Sequence, residues 1–163
     1  MAKDKKLKSG QRRRRPAYQA LMSLVRVSAL LRKAGDKFFQ LHGVTQSQFN
    51  VLLLLKYEFP RGCNQNELCK RLLVHPADVT GLVRRMLKND LVHKERPPGD
   101  ERSWRITISE TGLRMLSGIE EEYYKSVDSL MNLNGEEPPR RLMSLLGQVE
   151  QNIMTEMGHR LAQ

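Results

Sequence analysis

The chain has 163 residues, 39% of them hydrophobic, and carries 28 Lys and Arg against 18 Asp and Glu for a formal net charge of +10. That length suits one domain with a packed core, and the charge favours an anionic partner, because polyphosphate binding draws on counterion release, although acidic membrane surfaces and acidic proteins would also satisfy it. The longest apolar run, Val51–Leu55, is too short for a bilayer span of about twenty residues; Cys63 and Cys69 form neither a disulfide framework nor a metal set. With no apolar stretch of a secretory signal at the N-terminus either, a cytoplasmic protein without a cofactor or membrane contact is expected.

Residues 1–16 hold eight basic side chains (Lys3, Lys5, Lys6, Lys8 and Arg12 to Arg15) against Asp4. With so little to bury, this stretch is expected to be a disordered basic tail, either a phosphate-binding arm or a solvated end. From Tyr18 to Phe39 the stripe positions Leu21, Leu24, Val25, Ser28, Leu31 and Phe38 recur at near-helical spacing, and His42-Gly43 ends that helix. Thr45 or Ser47 caps the next, whose Phe49-to-Leu55 core is apolar nearly all round and therefore buried. Phe59-Pro60-Arg61-Gly62 stops it.

Asn64 and Glu67 form the frame of a capping box for a short helix to Leu73, which His75-Pro76 must interrupt. Pro76 then opens a second helix. Val79, Leu82, Val83, Met86 and Leu87 form its apolar stripe, opposite Ala77, Asp78, Thr80, Gly81, Arg84, Arg85 and Lys88. The period next falls from 3.6 to 2 over 92–96 and again over 103–108, around the turn-forming Pro97-Pro98-Gly99-Asp100-Glu101-Arg102, which describes a β-hairpin with a charged tip. Ser109 caps a long helix that ends near Asn134-Gly135, and after Pro138-Pro139 a last helix displays Leu142, Leu145, Leu146, Val149, Ile153, Met157 and Leu161.

Two short helices joined by a tight turn and followed at once by a hairpin match a helix-turn-helix with a wing. The stripe from Val79 to Leu87 would lock the second helix onto the core and turn Thr80, Arg84 and Arg85 outward. Arginine can donate two bonds to guanine, and threonine can bond base edges or phosphate. A basic helix face taken alone is more often a solvated surface; joined to the preceding helix and the hairpin it becomes a strong signal.

The stretch Asp100-Glu101-Arg102-Ser103-Trp104-Arg105-Ile106-Thr107-Ile108-Ser109 is similar to the wing signature of the MarR family, which the chain resembles over about residues 18–160. The resemblance implies a mainly α fold with a small β-hairpin wing: a winged helix-turn-helix with N- and C-terminal dimerisation helices. It implies a homodimer that binds double-stranded DNA at a pseudo-palindromic operator, regulates transcription, commonly as a repressor, and is often released by a small ligand or oxidation. It places Pro76, Ala77, Thr80, Arg84 and Arg85 on the recognition helix, Arg102 at the wing tip in the minor groove and Asp100 as the partner of Arg102. An effector pocket would fall near Arg26, Tyr57 and Tyr123. Two departures stand out: His75 replaces the usual Ser or Thr cap, and Gly81 replaces a longer side chain at a cost of about 1 kcal/mol relative to alanine.

The expected organisation is therefore the tail over 1–16 and one subunit over 17–163, with 45–108 binding DNA and 17–44 and 109–163 forming the dimerisation region. Packing of both terminal helices within one chain is the alternative to a dimer. Cys63 and Cys69 are expected to be structural rather than redox-sensing, since a sensing thiol needs exposure and nearby positive charge. The four histidines have no metal-ligand spacing. No Ser/His/Asp or Cys/His set and no phosphate-cradling glycine loop suggests an enzyme. An architectural or RNA-binding basic protein with little sequence preference remains the alternative function.

Overall fold

Thr45 opens the first buried helix with a reciprocal cap: its hydroxyl accepts from the Gln48 N–H at 3.2 Å while Gln48 Oε1 accepts from the Thr45 N–H at 2.9 Å. Four orphan N–H groups at a helix start need such partners, and this box satisfies two of them. The protein is seen here in a computed structural model that describes residues 15–72, 74–96, 104–133 and 137–161. In chain order its elements are α1 (Pro16–Leu41), α2 (Gln46–Leu53) continuing as a π-helical turn (Leu54–Glu58), α3 (Gln65–Leu72), α4 (Pro76–Lys88), β1 (Val92–Glu95), β2 (Arg105–Ile108), α5 (Glu110–Leu130) and α6 (Glu137–Leu161). This is the mainly α chain with a small β-hairpin that the sequence implied. Among the described residues no helix is long and apolar enough to cross a membrane.

The chain divides into two compact units, Met1–Leu116 and Ser117–Gln163. The core of the first is built from Phe39, Phe49, Val51, Leu52, Leu55, Leu68, Val79, Val83, Met86, Leu91, Val92, Ile106 and Leu116, all nearly inaccessible. Each large side chain buried there contributes roughly 1.5–3 kcal/mol. Phe39 and Phe49 meet with ring centroids 4.8 Å apart and fasten α1 to α2. Phe39, not its neighbour Phe38 in the expected stripe, is the buried member of the pair. Within the π-helical turn Tyr57 stands exposed while Leu55 stays in the core.

The hairpin pairs Val92 with Ile108, His93 with Thr107, Lys94 with Ile106 and Glu95 with Arg105. A third segment, unforeseen in the sequence, joins its free edge: Cys63 N–H donates to the Ile106 carbonyl at 3.0 Å, and Ile106 N–H donates to that of Cys63 at 2.8 Å. Gly62 makes this approach possible. Its φ of +81° suits glycine, and any Cβ would press on Thr107 and on the Ile106 carbonyl.

The second unit holds the remainder of α5 together with α6. Pro138 and Pro139 lie in the first turn of α6, where a missing N–H costs nothing. Every side chain of α6 whose surroundings are described, from Arg140 to Met157, is exposed in the single chain, among them Met143, Leu145, Ile153, Met154 and Met157.

Candidate nucleic-acid interface

The hinge between α3 and α4 is set by local chemistry. Asn64 Oδ1 accepts from the Glu67 N–H at 3.0 Å and Glu67 Oε2 from the Asn64 N–H at 2.7 Å, so the expected capping box starts α3. His75, held extended by the proline after it, caps α4 itself: its Nδ1 accepts from the Ala77 N–H at 3.3 Å. The imidazole thus takes up the task of the missing Ser or Thr, at a longer distance than a good cap.

Helix α4 has two faces. Val79, Leu82, Val83 and Met86 are at most 5% exposed, whereas Pro76, Ala77, Thr80, Arg84 and Arg85 are all exposed. Leu87, expected in the stripe, is 37% exposed. At about 100° per residue it falls some 90° from the middle of the buried stripe, beyond the reach of the core. The helix packs on α2, α3 and β1, which leaves its outer face to solvent.

Thr80 is more constrained than its exposure suggests. Its hydroxyl donates to the Pro76 carbonyl at 3.0 Å, and Gln65 at the start of α3 reaches it with Nε2 at 3.5 Å. The hydroxyl proton is therefore committed, and the outward contribution of Thr80 is its methyl group and the remaining acceptor capacity, suited to apolar contact with a thymine methyl. Gln65 was not foreseen at this surface, although its place as the first residue of a capped helix was visible. Gly81 leaves a gap that Arg85 occupies: Nη1 lies 3.4 Å from where a Cβ would stand. Arg84 and Arg85 thus present different surfaces, Arg85 folding back one turn along its own helix.

The tip residues Asp100 and Arg102 lie outside the described residues, as do residues 1–14 of the basic tail. Of the residues named for an effector pocket, Arg26 and Tyr57 are exposed and Tyr123 half-buried. Cys63 is 3% exposed, and burial, aided by the charge of Glu67, pushes its thiol up to about 12. A thiol kept protonated is a poor nucleophile and a poor peroxide sensor. Cys69 is half-buried.

Residues 42–103, the segment running from the end of α1 through α4 into the wing, match the model of the MarR family. Over that segment the chain is similar to the MarR family. Among curated relatives it is 24% identical over 133 residues to the HTH-type transcriptional regulator PecS of Dickeya dadantii (strain 3937), covering 81% of this chain and 80% of that one. It is 21% identical over 131 residues to the HTH-type transcriptional repressor YetL of Bacillus subtilis (strain 168), covering 80% and 78%. The fold is shared with MepR in the crystal structure of the S. aureus MepR-DNA complex, at a TM-score of 0.72 and 16% identity over 85% of this chain and 96% of that one. In the winged-helix fold shared with that structure, α3 and α4 correspond to the helix-turn-helix and β1 and β2 to the wing.

Proposed function

We propose that this protein is a sequence-specific DNA-binding transcription repressor that acts as a homodimer on a pseudo-palindromic operator. In this reading α4 enters the major groove with Pro76, Ala77, Thr80, Arg84 and Arg85, while Arg102, supported by Asp100, enters the minor groove from the wing. The observation that carries it is the division of α4 into a sealed apolar side and a solvent-facing side bearing Thr80, Arg84 and Arg85. A rigidly seated helix with two arginines outward can hold a fixed register against base edges.

Pairing is supported by α1 and α6. Leu21, Val25 and Leu30 on α1 and Met143, Ile153 and Met154 on α6 are each at least half exposed in the single chain. An isolated helix gains little stability in water without a surface against its apolar side, and a second copy supplies one. Two recognition helices set about 34 Å apart also bind cooperatively where a single one is weak. Repression is favoured by the name of YetL, and release by a small effector by the family resemblance.

Competition binding with duplexes taken from upstream of its own gene tests the proposal. A preference of at least about a thousandfold for one palindromic segment over unrelated DNA is expected. Equal affinity for all duplexes, or for RNA, would transfer the protein to the architectural or RNA-binding class, and a monomer in sedimentation would remove the paired arrangement.

A further inference from the structure

Trp104, the sole tryptophan of the chain, is 44% exposed at the root of the wing. Two cations stand over its indole: the Arg96 Cζ lies 4.8 Å and the Lys94 Nζ 5.0 Å from the ring centroid. Both fall inside the distance over which an aromatic quadrupole attracts a cation. The strand register explains the meeting. Lys94 opposes Ile106 and Glu95 opposes Arg105, so one step outward Arg96 comes level with Trp104, on the face that begins with the buried Val92 and Ile106. This face of the hairpin runs outward past the edge of the core, and the cations and indole lie on that extension. Among the described residues the ion pairs of Arg71 with Glu58, Arg114 with Glu110 and Lys125 with Glu121 do not involve Lys94 or Arg96.

Two like charges gathered around one ring repel each other. The indole offsets that repulsion, and an anion accepting from both would remove it. We infer that Trp104 is a positioning residue that holds Lys94 and Arg96 ready to clasp one phosphodiester group of duplex DNA, a backbone contact at the wing root separate from the tip arginine. The inference rests on the DNA-binding reading above. It points to duplex DNA because β1 follows α4 after a short turn and packs against it, so a duplex lying along α4 runs its backbone past the hairpin stem.

Full-length protein is titrated at low salt with a labelled mixed-sequence duplex. Binding is followed by anisotropy of the label, and Trp104 separately by its emission and its accessibility to acrylamide. Duplex should change the emission and shield the indole. W104L should weaken binding roughly tenfold, because two long side chains must then be ordered at the moment of contact, whereas W104F should stay within about twofold. K94Q/R96Q should lower the slope of log affinity against log salt by about 0.9 for each subunit engaged. Duplex bound with Trp104 emission and accessibility unchanged, W104F weakened as much as W104L, or an unaltered slope for K94Q/R96Q would each overturn the assignment while the regulator reading survives. No duplex binding at any salt would remove both.

Discussion

Ser109 is hydrogen-bonded to Asp90: its hydroxyl donates to the Asp90 carbonyl and in turn accepts from the Gly112 N–H at 2.9 Å. The turn that closes α4 is thereby tied to the first turn of α5, and the Thr111 hydroxyl adds a bond to the Asp90 carboxylate at 2.9 Å. Asp90 holds a left-handed φ of +51° to do this. Gly112 lies so close to the Leu91 carbonyl that a Cβ cannot be accommodated, with Leu52 and Ile108 crowding the same point. Gly112→Ala should therefore destabilise the fold by about 1–3 kcal/mol through overpacking, and Ser109→Ala by about 1–2 kcal/mol through loss of the cap. Urea unfolding measures both, and a neutral Gly112→Ala would contradict the packing described.

Gly81→Ala should have the opposite sign. The site faces solvent, its φ is ordinary for a helix, and the new methyl would make only van der Waals contact with the flexible end of Arg85. A gain of about 0.5–1 kcal/mol is expected from helix propensity. Melting of the variant checks it; a loss of stability would mean that Arg85 resists the displacement.

On the recognition face, Arg84→Ala should relax discrimination between operator variants by about 1–3 kcal/mol while changing affinity for unrelated DNA much less. Thr80→Ala, which removes the methyl together with the hydroxyl held by Pro76, should act in the same direction with a smaller effect. Arg102→Ala should weaken binding strongly. Uniform losses on every duplex for Arg84→Ala would reassign that residue to the phosphate backbone.

Deleting residues 2–15 should lower affinity for all duplexes alike and flatten the salt dependence, since that stretch carries eight cations and no fold of its own is needed for phosphate contact. An unchanged salt slope would mark the tail as a solvated end.

The raised Cys63 thiol gives a pH prediction with a definite sign. Burial holds it near 12 from an ordinary value of 9.0, so the folded chain keeps the proton where the unfolded chain loses it. The resulting stability is fully present below pH 9 and is lost as the pH rises towards 12. In a Cys69→Ser background, Cys63 should be inert to a thiol reagent at pH 8 until denaturant is added. Rapid modification of the native chain would show that the segment opens.

Much of the molecule was legible in the residues themselves. The caps at Thr45, Asn64 and Ser109, the break at His75-Pro76 and the switch from helical to alternating period at Val92 are local features, governed by hydrogen bonds and dihedrals within a few residues, and all are found where the chain places them. Leu87 was misplaced because a stripe counted along the helix does not say where the core stops. Gln65, fifteen residues from Thr80, had no local signal that it would reach across.

What the chain alone dictated was therefore the set of helices, the hairpin and the amphipathic division of α4, because backbone satisfaction and apolar periodicity act over short distances. Only the tertiary structure decided that Cys63 extends the sheet beside Ile106, that His75 serves as a cap, that the Thr80 proton is already spent on Pro76 and that Arg96 and Lys94 share one indole. Those outcomes depend on strand register, on rotamers and on which distant segments share an edge, and they form only once the core has brought the pieces together.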